Sequence, residues 1–153
     1  MGFALLETAI RDAYKPRSIV PISEWAAQNF HVESASQFKG LYRPEVAPWL
    51  NEPLNALANP RTRQVDCGCC HQSGKTTLLQ IALAHTVAED PGNTLYVINS
   101  AKQARRQAKQ RVIPTLRTCA PAWRHVPAAD KDAVQTAEVS FDNMYLAFTG
   151  AES

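Results

Sequence analysis

The chain has 153 residues, 45% of them hydrophobic and 20% charged, with 16 basic against 14 acidic side chains and a formal charge of +2. That length fits a single core-forming domain, and the composition is ordinary for a soluble globular protein. No run approaches the ~18 apolar residues of a membrane-spanning helix, so no such helix is expected, and the near-neutral bulk charge says little about partners.

Phe3, Leu6, Ile10 and Ala13 or Tyr14 fall at helical spacing, and Pro16 closes that segment. Glu7 and Arg11 interrupt the apolar residues, so no secretion signal is expected. Leu6 stands where a myristoylation signal needs Ser or Thr, and an intracellular location is the default expectation. Ser23 is placed to cap a short helix running to Phe30, with Glu24 in its first turn. From His31 to Tyr42 the sequence is polar and aperiodic and reads as loop. Val46, Trp49, Leu50, Leu54 and Leu57 form an apolar helical series that Pro48 and Pro53 make irregular.

A short β-prone run around Val65 to Cys70 then leads into Ser73-Gly74-Lys75-Thr76-Thr77, and a helical pattern begins at Leu78. Strand, Gly-Lys-Thr, helix is the order of a phosphate-binding loop, in which backbone N–H groups and a helix N-terminus surround a phosphate. Lys75 would sit on the β- and γ-phosphates and the Thr76 hydroxyl would ligate Mg²⁺. The full motif (Walker A) wants glycine where Cys69 stands, and the alternative is a turn with a capped helix and a solvated lysine. Past the turn Asp90–Asn93, residues 94–99 read as a buried, central strand of a parallel sheet. Ala101 to Ile113 reads as a helix that ends or kinks at Pro114, and residues 136–141 and 144–149 as a hairpin turning at Asp142-Asn143. The βαβ order predicts an α/β fold.

Three further features bear on function. Cys67, Cys69, Cys70 and Cys119 lack the paired spacing of a zinc site and read as buried small apolar side chains. Lys102, Arg105, Arg106 and Lys109 share one helical face, which suits a nucleic-acid backbone, a partner subunit or plain solvent. A phosphate-loop ATPase also needs a strand ending in a catalytic acid. The nearest candidate, Asp142, reads better as a turn residue, and no convincing catalytic residue is found.

Placed in this order, Ile22-Ser-Glu-Trp-Ala26, Tyr42-Arg43, Ala47-Pro-Trp-Leu50, Leu54-Asn-Ala-Leu57, Gln72-Ser-Gly-Lys-Thr76, Arg111-Val-Ile-Pro114 and Gly150-Ala-Glu-Ser153 resemble the ATPase region of the large terminase subunit of tailed bacteriophages, of the GpA type. That family often has Gln-x-Gly-Lys-Thr and commonly lacks the first glycine. The resemblance implies a P-loop NTPase-like parallel sheet flanked by helices, incomplete, with a helical lead-in over residues 1–60 and a partial ATPase core over 61–153. It implies ATP and Mg²⁺ held by Gln72, Ser73, Gly74, Lys75, Thr76 and Thr77, with His71 where some relatives place a phosphate-contacting arginine. Double-stranded viral DNA, a small terminase subunit and a capsid portal are the implied partners, in the cytoplasm of a bacterial host. Family members continue into an Asp-Glu strand and a nuclease domain. The expectation is therefore an N-terminal portion, from a disrupted prophage gene, a split gene or a trimmed chain, inactive alone, with the remainder of a split terminase as a further implied partner. The alternatives are a non-catalytic interaction module and a fragment of a helicase-like ATPase, the latter disfavoured by Ser-Glu-Trp-Ala and Ala-Pro-Trp-Leu.

Overall fold

A computed structural model describes Glu7 and residues 20–32, 38–128, 130 and 132–152. The helix expected over residues 3–14 lies outside the described residues apart from Glu7. Helix α1, Ile22–Asn29, starts directly after Pro21, whose carbonyl accepts from the N–H groups of Glu24 and Trp25. Ser23 is therefore inside the first turn, not capping it, and its N–H donates to Asn55 Oδ1 at 3.0 Å. The stretch read as loop after α1 contains two short antiparallel strands, β1 (His31–Val32) and β2 (Gly40–Leu41). Ladder bonds between main chains need no apolar periodicity, which is why the sequence did not announce them.

Pro48 opens a single 3₁₀ turn, Pro48–Leu50, that runs into α2, Asn51–Leu57. Pro53 lies in the first turn of α2, where a missing N–H costs no helical bond. Helix α3, Lys75–Glu89, is the centre of the molecule. Leu78, Ile81, Ala84 and Val87 are buried on one side and Gln80, Leu83, His85 and Ala88 on others, so it is enclosed on most of its circumference. Trp25 Nε1 donates to Glu89 Oε1 at 3.1 Å, tying α1 to the end of α3.

Among the described residues the main sheet has three strands, β3 (Thr94–Ile98), β4 (Glu138–Ser140) and β5 (Tyr145–Gly150), in the order β3-β5-β4. β5 pairs parallel with β3, Leu95 opposite Ala147, and antiparallel with β4, Val139 opposite Leu146. The hairpin expected from the sequence is present, and the architecture is mixed α/β, consistent with a partial P-loop-like ATPase domain. Strand β3, expected at the buried centre, is an edge strand with Leu95 61% and Val97 49% exposed. An apolar strand is buried on both faces only when other elements cover both, and here helices cover one. Residues 65–70, expected as a strand, form no ladder with any described strand.

The basic segment is one helical run: α4 (Ala101–Gln107), a π-helical turn (Ala108–Val112) and α5 (Ile113–Thr118). The Ser100 side chain caps its start by accepting from Gln103 N. It neither ends nor breaks at Pro114. The π turn carries the Ile113 N–H to Ala108 O, and the proline, lacking an N–H, enters the first turn of the next helix. Helix α6 (Ala120–Trp123) follows. One hydrophobic cluster runs through all layers, from Trp25, Phe30, Leu50 and Leu54 to Ile81, Val112, Leu116, Leu146 and Phe148.

Candidate nucleotide site

The loop expected to hold phosphate is fixed at the head of α3, which is buried on most of its circumference. The first helical bond runs from Leu78 N to Gly74 O at 2.9 Å. The N–H groups of Lys75, Thr76 and Thr77 lie ahead of it, in the turn whose donors have no intrahelical acceptor. Gly74 has φ 90°, a left-handed conformation, and Gln72 is the described non-glycine residue with positive φ, at 59°. Such alternation in handedness turns successive backbone N–H groups toward a common point, the geometry that binds anions. Glycine is favoured at Gly74 by its left-handed conformation, and a Cβ would also crowd Leu50 Cδ1 at 3.0 Å.

Lys75 folds back over the loop. Its Nζ donates to Cys69 O at 2.9 Å and to Cys70 O at 3.1 Å, and Ser73 Oγ donates to Cys70 O at 2.9 Å. The ammonium is thus parked on exposed carbonyls over the concavity, one residue before the Thr76 hydroxyl. Gln72 and His71 are exposed, while Ser73, Thr76 and Thr77 are half-buried. The chemistry of this donor set fits a nucleotide phosphate with its divalent cation.

Beside the loop opens a cavity of about 260 Å³ that sequence reasoning did not assign. Phe38, Tyr42, Val46, Trp49 and Leu50 form its apolar walls, and Gln72, Ser73, Gly74 and Thr77 its loop side. Trp49 is 57% exposed, and its Nε1 donates to Ser73 O at 2.9 Å, fastening the wall to the loop. The Tyr42 hydroxyl donates to Asn51 Oδ1 at 3.3 Å, and burial, with a smaller effect of Glu45, pushes its ionisation above the usual tyrosine range. The available signal was aromatic density: Phe38, Tyr42 and Trp49 lie within a dozen residues in a proline-broken stretch.

Other sequence candidates lie apart from this site. Asp142 occupies the turn before β5: its N–H donates to His125 O at 2.8 Å, and its Oδ1 lies 2.8 Å from His125 Nδ1. The adjoining Asn143 side chain donates to Val87 O, near the far end of α3. At 1.5 Å rise per residue, that is about 18 Å along the helix from Lys75, which leaves Asp142 a turn residue. Lys102, Arg105, Arg106 and Lys109 are all exposed, with Ala104 and Ala108 buried on the opposite side of the helix. Arg106 Nε donates to Gln110 Oε1 at 3.1 Å. The cysteines correct an expectation: Cys119 is buried, but Cys67 and Cys70 are exposed and Cys69 half-buried. Among the described residues no strand pairs with the segment that carries Cys67, Cys69 and Cys70. Among the described residues no cluster of three His, Cys, Asp or Glu side chains could hold a metal ion, and no helix is long and apolar enough to cross a membrane.

Mixed α/β layers around a loop that opens the central helix on a left-handed glycine define a partial phosphate-loop ATPase fold. The family description "Phage terminase large subunit gpA, ATPase domain" matches residues 36–153, and the chain belongs to that family. Neither a curated protein nor a solved structure matches it.

Proposed function

We propose that this chain binds Mg·ATP as the nucleotide-holding part of a viral DNA-packaging motor. The observation that carries the reading is the pairing of Lys75, folded over a loop with positive φ at Gln72 and Gly74, with an aromatic cavity on the loop's other flank. The phosphates lie against the N–H groups of residues 74–77, a Walker A role in which Lys75 exchanges its two carbonyl partners for β- and γ-oxygens. Thr76 offers its hydroxyl to Mg²⁺, and the ion, when bound, neutralises charge between the phosphates. The cavity beside Trp49 and Tyr42 is of a size and polarity to take the base. Residues 1–60 act as a lead-in whose Trp49 and Leu50 brace the loop of the core at 61–153.

Family membership supports double-stranded DNA, a small terminase subunit and a capsid portal as partners, in a bacterial host. The exposed face of Lys102, Arg105, Arg106 and Lys109 is the surface we assign to the DNA backbone. Trp49 makes the nucleotide reading testable without labels. Titrating Mg·ATP into the chain should change Trp49 emission saturably, a change missing from Trp49→Phe. No saturable change, with direct binding also absent by calorimetry, would remove the nucleotide from this site.

A further inference from the structure

We propose that Cys70 is a thiol-modification site that closes the nucleotide loop when it is capped by a small disulfide. The proposal rests on the nucleotide reading above and adds a chemical control to the same site. Three cysteines stand within four positions at the mouth of the loop, and the function just described uses none of their thiols. Two of them, Cys67 and Cys70, are exposed. Exposure is the first requirement for thiol exchange, and the buried Cys119, whose thiol is pushed up by burial, is the internal contrast. Position within the loop distinguishes Cys70 from Cys67. The carbonyl of Cys70 accepts both from Lys75 Nζ at 3.1 Å and from Ser73 Oγ at 2.9 Å. Any group attached to Sγ therefore begins only a few bonds from the atoms that position the phosphate-binding lysine.

The reaction is an exchange that balances without a further oxidant. Cys70 Sγ attacks one sulfur of a small disulfide R–S–S–R, the S–S bond breaks, and R–S⁻ leaves and takes up the proton given up by the cysteine. The product is a Cys70–S–S–R mixed disulfide plus one R–SH, reversed by excess thiol. An R group of a few heavy atoms or more occupies the space over the loop and competes with phosphate. If R carries carboxylates, as in glutathione, it also offers Lys75 an anionic partner of its own. Occupancy is reciprocal: bound nucleotide shields Cys70.

The test uses the whole chain and glutathione disulfide, with mass mapping of modified peptides and titration of a fluorescent ATP analogue. Cys70 should be modified in the native chain and Cys119 only after unfolding. Saturating Mg·ATP should slow Cys70 modification several-fold. The capped chain should lose at least ten-fold in affinity and recover it with dithiothreitol. In Cys70→Ser, treated and untreated samples should bind alike, whatever affinity that variant starts from, whereas Cys67→Ser should keep the sensitivity. Failure of native Cys70 to react, or a capped chain that binds as tightly as the untreated one, overturns the inference and leaves the nucleotide reading standing. An untreated chain that binds no nucleotide overturns the nucleotide reading itself and, with it, the coupling proposed here.

Discussion

Gly150 closes the sheet against the helix that carries the basic face, and replacing it with alanine should cost more than any other single added methyl group in the chain's described glycines. It does not carry a positive φ, so space alone decides. A Cβ there would lie 2.2 Å from Ala101 N, 2.5 Å from Ser100 C and 2.7 Å from Ser100 Cα. All three are backbone atoms at the capped start of α4 and cannot rotate away as a side chain could. Overpacking typically costs about 1–3 kcal/mol, and backbone neighbours put this site at the upper end, ~3 kcal/mol. Relieving the clash pulls the end of β5 from β3 and loosens the Ala151 N to Ile98 O bond of 2.8 Å, for roughly another 1 kcal/mol. The sum, ~4 kcal/mol, is a large part of the 5–15 kcal/mol that holds a typical domain. At about 2–4 °C per kcal/mol for this size, the melting midpoint should fall by roughly 8–16 °C. Thermal unfolding followed by circular dichroism measures the midpoint, and urea unfolding the free-energy difference. A Gly150→Ala chain within about 0.5 kcal/mol of the parent would refute the packing described between β5 and the start of α4.

Two other sites give sharp expectations. His85 is buried, its Nε2 has no hydrogen-bond partner, and its ring meets Trp25 edge-on with centroids 5.1 Å apart. Burial lowers its pKa below the usual histidine value, against weaker upward pulls from Glu89 and Asp90. Below the unfolded value of about 6.5, the unfolded chain takes up a proton that the folded chain refuses. Stability should therefore fall as pH drops from about 6.5 through the lowered folded value, by at most ~1.4 kcal/mol per pH unit from this group. Melting curves of the parent and His85→Leu should diverge in acid slope, and identical slopes would show that His85 does not titrate this way. For the basic face, DNA affinity should fall with salt at a log–log slope of up to about −0.9 per phosphate contacted. Lys102→Glu with Lys109→Glu should weaken binding and flatten that slope by roughly 2, whereas an unchanged slope would place the DNA elsewhere.

Sequence order made the loop and α3 legible because their signals are local. Gly74 supplies a left-handed residue before a helix, and Leu78, Ile81 and Val87 repeat at helical spacing. The hairpin at Asp142-Asn143 was legible for the same reason. What the sequence left open depends on neighbours distant along the chain. The run at Val65 is β-prone, but a strand exists only where another strand pairs with it, and residues 65–70 meet none among those described. The exposure of Cys67 and Cys70 follows from that same lack of a neighbour. Strand β3 reads as central by its apolar content, yet among the described residues it pairs with β5 alone, about fifty residues later. Pro114 carries a helix-stop signal that the π turn at Ala108–Val112 absorbs. At the site, the aromatic wall escaped notice because Trp49 joins the loop through Ser73 O, a bond across twenty-four residues with no motif of its own.

The central claim is that nucleotide phosphates are held at the head of α3 by Lys75. The direct measurement is calorimetric titration of Mg·ATP into the parent chain and into Lys75→Ala, with melting curves on both proteins. Lys75 is exposed and its bonds are to exposed carbonyls, so the substitution should leave the melting midpoint nearly unchanged. Affinity should drop at least ten-fold, about 1.4 kcal/mol or more. Equal affinity in the two folded proteins would contradict the account.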